Sequence, residues 1–404
     1  MTRLALAYLA ALRAVSADAG LGQAAFVRAP LASLNSICYP RSKQAAAARS
    51  MSWMVTQRRC FAPDAQPAIG ASLPSSGEGG SPAGGDGDGA EEGKGVADDT
   101  FPLDNSLDHM VSAVAGNGEV VARAVSARNL VQDALVRQDL RPLAADALGR
   151  VMVCTMLMAG GLKDRETFQL TFSGNGPLGG VVAISDGEGG VRGYVTNGKV
   201  ELPLKDNGNQ DVATGIGNGL LKKVVRNHPD YQTPYTGITA LKTGEVAYDA
   251  ASYLAESEQK SCAIAAGCFV TDALVRQAGG YMLETLPDAS EETERTVINN
   301  VAKLLTRAQD PSDLMGRGMT PVSIVEALLE GLGGVGALTY KRPAFLCHCS
   351  DQRVYQALRL LQKAEVQDLV MKEETIEVKC EFCGQQYRLS SQDVAKELDL
   401  KPPE

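Results

Sequence analysis

At 404 residues the chain is long enough for more than one domain, and a hydrophobic share of 44% rules out a chain disordered throughout. A formal net charge of −9 argues against a dedicated nucleic-acid binder, which carries a basic face. Nine cysteines are too sparse for a secreted disulfide scaffold; the longest apolar stretch, Val151 to Leu162, falls short of the ~20 residues a bilayer needs, so a soluble protein is expected.

The charge is uneven along the chain. Residues 1–60 carry eight basic side chains (Arg3, Arg13, Arg28, Arg41, Lys43, Arg49, Arg58 and Arg59) against one acid, Asp18. This Ala/Arg/Ser-rich leader has the composition of an organelle transit peptide. A secretory signal, with Leu4–Leu12 as its apolar core and Ala17-Asp18-Ala19 as the cleavage site, is the competing reading. Residues 61–103 follow as a disordered glycine-rich, acidic linker, with ten glycines and eight acids between 61 and 100. Such a stretch buries too little apolar area to offset its chain entropy.

Folded structure is expected from 104. His109–Ala115 and Glu119–Val125 flank Gly116-Asn117-Gly118 and predict a β-hairpin. A helical pattern runs from about Ala127 to Met158, interrupted near Pro142. Strands are predicted at Thr167–Phe172, Val181–Ser185, Val191–Thr196, Ala213–Val225 and Tyr235–Leu241, then a helix over Val246–Glu258. These predict an α+β fold, with a mixed α/β core domain over 104–280. Residues 281–343 read as a helical linker. Pro287 and the acids Asp288, Glu291 and Glu292 suit a helix start, and Val297, Ile298, Val301, Leu304 and Leu305 form an apolar stripe. Thr320-Pro321 caps a second helix with Val325, Leu328, Leu329 and Leu332 inward, ending at Gly333-Gly334.

The last segment, 344–404, holds the most specific signal. Cys347-His348-Cys349 is separated by 30 residues from Cys380-Glu381-Phe382-Cys383. One C-x-C and one C-x-x-C pair can set four sulfurs tetrahedrally around one zinc ion, so Cys347, Cys349, Cys380 and Cys383 are the expected ligands. Ile376 and Val378 alternate on a strand entering Cys380, Gly384 permits the return, and Gln385–Leu389 is the partner strand of a β-hairpin knuckle. Between the pairs, Ser350 caps a helix with Val354, Leu358 and Leu361 on one face, and a second helix carries Val366, Leu369 and Val370. So small a core is marginal without a metal staple. His348 alternates away from the sulfurs and is not expected to be a ligand. Cys154 reads as a small buried hydrophobe, and Cys38, Cys60, Cys262 and Cys268 have no metal-type spacing. The zinc could be a permanent staple. Its four thiolates could instead be oxidised to two local disulfides, Cys347–Cys349 and Cys380–Cys383, expelling the metal. Spacing alone leaves both open.

Other motifs carry no chemistry. Gly174-Asn175-Gly176-Pro177-Leu178-Gly179 matches G-x-G-x-x-G, but a strand rather than a helix follows it, so it reads as a turn. The histidines, His109, His228 and His348, have no triad arrangement. Four thiolates leave no open zinc position for hydrolysis. No catalytic residue is assigned, and no enzyme is expected.

The tail Ile376–Tyr387 and the segment Phe345-Leu346-Cys347-His348-Cys349-Ser350 resemble the zinc-binding end of the 33-kDa heat-shock protein family of redox-regulated chaperones. Leu148-Gly149-Arg150, Gly176-Pro177, Arg192-Gly193-Tyr194, Tyr235-Thr236-Gly237 and Ser257-Glu258-Gln259 fall in the order of that family's core. Lys260-Ser261-Cys262 departs from it where a proline is expected. The resemblance implies an ATP-independent holdase, inactive when reduced and zinc-bound. Oxidation of the four cysteines to two disulfides would release zinc, unfold the C-terminal domain and linker, and yield a homodimer that binds unfolded or oxidatively damaged client proteins. No nucleic acid or membrane partner is expected. The alternatives are a constitutive zinc-ribbon interaction module and a thiol–disulfide oxidoreductase. The leader suits a chloroplast, with the mitochondrion as the alternative.

Overall fold

The computed structural model describes residues 53–54 and 106–402, apart from 163–165, 228–234 and 309, with backbone alone for 53–54, 222–227 and 235. The expected leader and glycine linker, with Cys38 and Cys60, lie outside the described residues, except for a two-residue strand, β1 (Trp53–Met54).

The expected hairpin forms from β2 (His109–Val114) and β3 (Val120–Ser126), with Gly118 at φ +75° in its turn. Helix α1 (Arg128–Gln138) starts where the Asp108 carboxylate accepts the Asn129 and Leu130 amides at 3.1 and 2.6 Å. These are donors a helix start leaves unpaired. Helix α2 (Pro142–Ala159) begins with proline in its first turn, where a missing N–H costs nothing. It is long and apolar enough to cross a membrane by length and composition, yet 89% of it is buried inside the fold. Here it is the central core helix.

Strands β4 (Thr167–Gly174), β5 (Gly180–Asp186), β6 (Gly190–Val195), β7 (Gly219–Asn227) and β8 (Tyr235–Ala240) follow, then helix α4 (Val246–Ser257). The strand expected over Ala213–Val225 is instead a short helix, α3 (Val212–Ile216), followed by β7. Asp211 caps α3 by accepting the Thr214 amide at 3.2 Å, and Gly217 at φ +72° ends it. The G-x-G-x-x-G stretch is a turn. A Cβ on Gly174 would lie 1.9 Å from the Ile216 carbonyl oxygen, so glycine there admits the α3–β7 connection.

Two long strands, β9 (Ser261–Thr271) and β10 (Leu274–Thr285), carry the sheet past the expected boundary at 280. Residues 261–268 of β9 are all buried, so the alternation that marks a half-exposed strand is missing there. The linker supplies α5 (Glu291–Arg307), α6 (Pro311–Gly316), α7 (Pro321–Leu328), β11 (Thr339–Lys341) and β12 (Ala344–Phe345). Ser290, not Pro287, starts α5, its hydroxyl accepting the Thr293 amide. Thr320 and Ser323 form the capping box of α7.

Two sheets result, ordered β12-β6-β5-β4-β7-β8 and β11-β2-β3-β10-β9. Helix α2 packs on both, against β4, β5 and β6 of the first and β9 and β10 of the second. The five-stranded sheet is apolar on both faces. Met110, Val125, Ile264 and Met282 belong to the core around α2. Their neighbours Val111, Ala113, Ala122, Ala124, Ala263, Ala265, Tyr281 and Leu283 point the other way, into a second core roofed by the linker helices. Val297, Val301, Leu304 and Leu305 of α5 are buried there with Ile324, Val325 and Leu328 of α7; Ile298 is only partly buried. The alanines let these helices sit close to the sheet.

Beyond Gly333 the linker changes character. Gly116 and Asn117 of the first hairpin donate to Gly334 and Leu332 carbonyls at 2.8 and 3.0 Å. Strand β11 then pairs antiparallel with β2, and β12 pairs parallel with β6. Residues 335–346 are thus a strap joining the edges of both sheets by backbone hydrogen bonds. Within it only Pro343 is buried.

Candidate metal centre

The C-terminal segment builds its own small core from Val354, Leu358, Val366, Val370, Ile376, Val378, Leu389 and Val394. Helix α8 (Asp351–Leu358) is capped by Ser350, whose hydroxyl accepts the Arg353 amide at 3.4 Å. Leu361, expected on its buried face, lies past the end of the helix and is 42% exposed. Helix α9 (Lys363–Lys372) and the hairpin of β13 (Thr375–Cys380) and β14 (Gln386–Ser390) follow, then α10 (Ser391–Glu397). Along β13 the residues Ile376, Val378 and Cys380 face inward while Thr375, Glu377 and Lys379 face out. That alternation, of period two, delivers the Cys380 sulfur to the interior side. Gly384 at φ +74° then turns the chain, its N–H donating to the Cys380 carbonyl at 2.8 Å. The free edge of β13 pairs with β1, Trp53 opposite Cys380.

All four expected ligands come together. The sulfurs of Cys347, Cys349, Cys380 and Cys383 lie within 4.8 Å of one another, with Cys347 Sγ to Cys380 Sγ at 3.7 Å and Cys349 Sγ to Cys383 Sγ at 3.4 Å. A tetrahedron with arms of about 2.3 Å, the zinc–thiolate distance, has edges of about 3.8 Å. The cluster therefore has the size and donor set of a four-cysteine zinc site. His348 is exposed and lies outside it. Among the thiols alone, the hydrogen bond from Cys380 pushes Cys347 down to about 5, and that same bond pushes Cys380 up. Burial pushes Cys383 up to about 11. A divalent ion reverses this by favouring the thiolate at every position.

The remaining described cysteines are of a different kind. Burial pushes Cys154 and Cys262 up to about 12 and Cys268 well above the ordinary thiol value. They are protonated core residues, inert as nucleophiles.

The knuckle rests on the core domain through contacts the sequence did not announce. The Phe382 ring meets Tyr194 edge to face, with centroids 5.1 Å apart, and the Arg192 guanidinium lies 5.4 Å from its centroid. Gln138 Nε2 donates to the Phe382 carbonyl at 2.7 Å and to the Gly193 carbonyl at 2.8 Å. Arg137 lies over the Phe345 ring at 5.3 Å. Arg192-Gly193-Tyr194 was legible as part of the family resemblance, but its role as a landing surface was not.

Comparison with known proteins agrees with this architecture. The family model described as Hsp33 protein matches residues 108–390. The 33 kDa chaperonin of Geobacillus kaustophilus is 34% identical over 298 residues, covering 74% of this chain and 99% of that protein. That of Gloeothece citriformis is 34% identical over 293 residues, covering 72% and 97%. The crystal structure of the Thermotoga maritima 33 kDa chaperonin superposes with a TM-score of 0.66 at 32% identity, covering 72% of this chain and 98% of that one. The chain belongs to the Hsp33 family of chaperones.

Proposed function

We propose that this protein is a redox-regulated, ATP-independent holdase whose switch is one zinc ion held by Cys347, Cys349, Cys380 and Cys383. The observation that carries the reading is the arrangement of a tetrahedrally sized cluster of four cysteines at the end of a linker that roofs an apolar sheet face. Oxidation of the four thiolates by two hypochlorous acid molecules and two protons forms the Cys347–Cys349 and Cys380–Cys383 disulfides. The products balance as Zn²⁺, two chlorides and two waters. All four sulfurs lie within 4.8 Å of one another, so each local pair can close without either segment having to reach across to the other. Thiolates tied up as disulfides no longer hold an ion, and that removes the staple from a domain with a small core.

The strap and helices α5–α7 then leave the sheet. Val297, Val301, Leu304 and Leu305 become available to unfolding clients, together with Val111, Tyr281 and Leu283 beneath them. The oxidised form acts as a homodimer on clients, without nucleic acid or membrane. A thiol–disulfide oxidoreductase would place an unmetallated C-x-x-C at a helix N-terminus, whereas Cys380 ends a strand. A constitutive zinc-ribbon module would offer its knuckle to a partner, but Phe382 is already engaged by Tyr194. We further propose the chloroplast as its location, tested by imaging a fluorescent fusion to residues 1–103.

The test of function follows zinc release, free thiols and suppression of client aggregation together as the reduced protein meets hypochlorite. One zinc per chain is expected to leave as four thiols are lost and client protection rises. Zinc retention, or equal protection before and after, refutes the switch.

A further inference from the structure

We infer that Phe382 is the positioning residue that keys the metal knuckle to the core domain and thereby holds the strap 335–346 in place. This inference deepens the switch reading above and rests on it for its consequence, though not for its test. Phe382 lies between two of the sulfurs, Cys380 and Cys383, so the geometry of a shared ion fixes the loop that presents its ring. The ring lands on Tyr194 of β6 and beneath Arg192, while its carbonyl takes the Gln138 amide. That same amide nitrogen also holds the Gly193 carbonyl of β6, so one side chain ties the end of α1, strand β6 and the knuckle together. The seam is tight, for a Cβ on the adjacent Gly384 would lie 2.2 Å from the Arg137 carbonyl oxygen.

The place of landing gives the contact its consequence. Strand β6 is the partner of β12, and Phe345 of β12 sits under Arg137, next to Gln138. Knuckle and strap therefore share one docking surface, made by Arg137, Gln138, Arg192 and Tyr194. The strap buries little of itself and is held mainly by edge hydrogen bonds, so a second attachment at its C-terminal end decides how often it peels away. A metal-held loop keeps that attachment, and a loop whose sulfurs have been re-paired does not. Zinc occupancy is read by the core through the Phe382 ring.

The test uses the full chain, reduced and zinc-loaded, comparing Phe382→Ala, Phe382→Tyr, Tyr194→Ala and the Phe382→Ala/Tyr194→Ala double variant with wild type. Hydrogen exchange of the amides at 339–346 is the readout. Phe382→Ala and Tyr194→Ala should each keep one zinc per chain and exchange about 2- to 10-fold faster there, the range an aromatic pair supports. The double variant should be no faster than the faster single one, and Phe382→Tyr should restore slow exchange. Wild-type exchange in either alanine variant, or effects that simply multiply in the double variant, overturns the inference. If Phe382→Ala lowers zinc occupancy, Tyr194→Ala and Gln138→Ala, which lie outside the knuckle, decide the matter by the same exchange readout. A wild-type protein that loses zinc on oxidation without gaining client protection defeats the switch reading instead, leaving the exchange result to stand.

Discussion

Leu304→Ala separates uncovering of the sheet from loss of the metal. Leu304 is buried on α5 in the core between the linker helices and the five-stranded sheet, and it takes no part in the core around α2. Truncating a buried leucine costs about 2–5 kcal/mol. If α5–α7 leave the sheet as a unit, the loss falls on that local opening, whose population rises about 30- to 4,000-fold. Leu148→Ala is the matched control, since Leu148 is fully buried on α2 in the other core. Reduced, zinc-loaded Leu304→Ala should hold one zinc per chain, lose amide protection across 291–307, keep it across 142–159, and suppress client aggregation without oxidant. Leu148→Ala should lower the melting temperature without that activity. Two outcomes refute the reasoning: equal loss of protection in both helices, or a freely exchanging α5 with no gain in client protection.

Three further results are expected. Cys380 and Cys383 hold their protons near neutrality in the metal-free cluster, so zinc binding expels at least these two. Its apparent affinity should rise about 100-fold per pH unit and weaken by the same factor on acidification, as a zinc-chelator competition from pH 6.5 to 8 would show; a slope below tenfold contradicts this. Asp146 forks onto Arg150 at 2.6 and 2.9 Å inside the core, with Glu245 adding a contact at 3.3 Å. Asp146→Asn leaves the buried guanidinium with Glu245 as its remaining carboxylate and should cost about 2–4 kcal/mol in denaturant unfolding; a loss under about 1 kcal/mol means the pair is not desolvated as the structure shows. Gly116→Ala puts a Cβ 2.0 Å from the Gly333 carbonyl oxygen, where nothing but backbone can move. It should expose 330–346 to limited proteolysis in the reduced protein, while Gly316→Ala, whose Cβ would meet only Gln277 Cγ at 3.8 Å, should not.

The four-cysteine cluster was legible in the sequence because its signal is local. Two cysteine pairs, an alternating strand ending in Cys380 and a glycine after Cys383 specify the knuckle without knowledge of the rest of the chain. The first hairpin, the break at Pro142 and the cap at Thr320 were readable for the same reason. What escaped was non-local. Strand β9 lacks alternation because both its faces are buried, and the helix α3 depends on an aspartate cap followed by a glycine that terminates it. The strap escaped because its partners, β2 and β6, lie well over a hundred residues earlier. Phe382 carries no local signal of its own, and only the fold brings Tyr194 to it.

The arrangement of the three cores would let one ion in the four-cysteine cluster govern a large surface. The central core is built around α2 and closes the two sheets on each other, sharing no side chain with the knuckle's own small core. The linker core is different, since it covers a sheet face that is already complete as a sheet. Removing α5–α7 breaks none of the pairings among β2, β3, β10 and β9. The apolar face can therefore be uncovered without unfolding the sheet that carries it. That cover continues into a strap held mainly by backbone edge pairing, and the strap ends at Cys347. On the proposed switch, opening would proceed from the weakest element inward, from metal cluster to strap to helices. The sheet keeps its shape and presents Val111, Tyr281 and Leu283 in fixed positions. On the proposed switch, a client surface of this kind would need no ATP to form, because the oxidant that takes the four thiolates would do the work of exposing it.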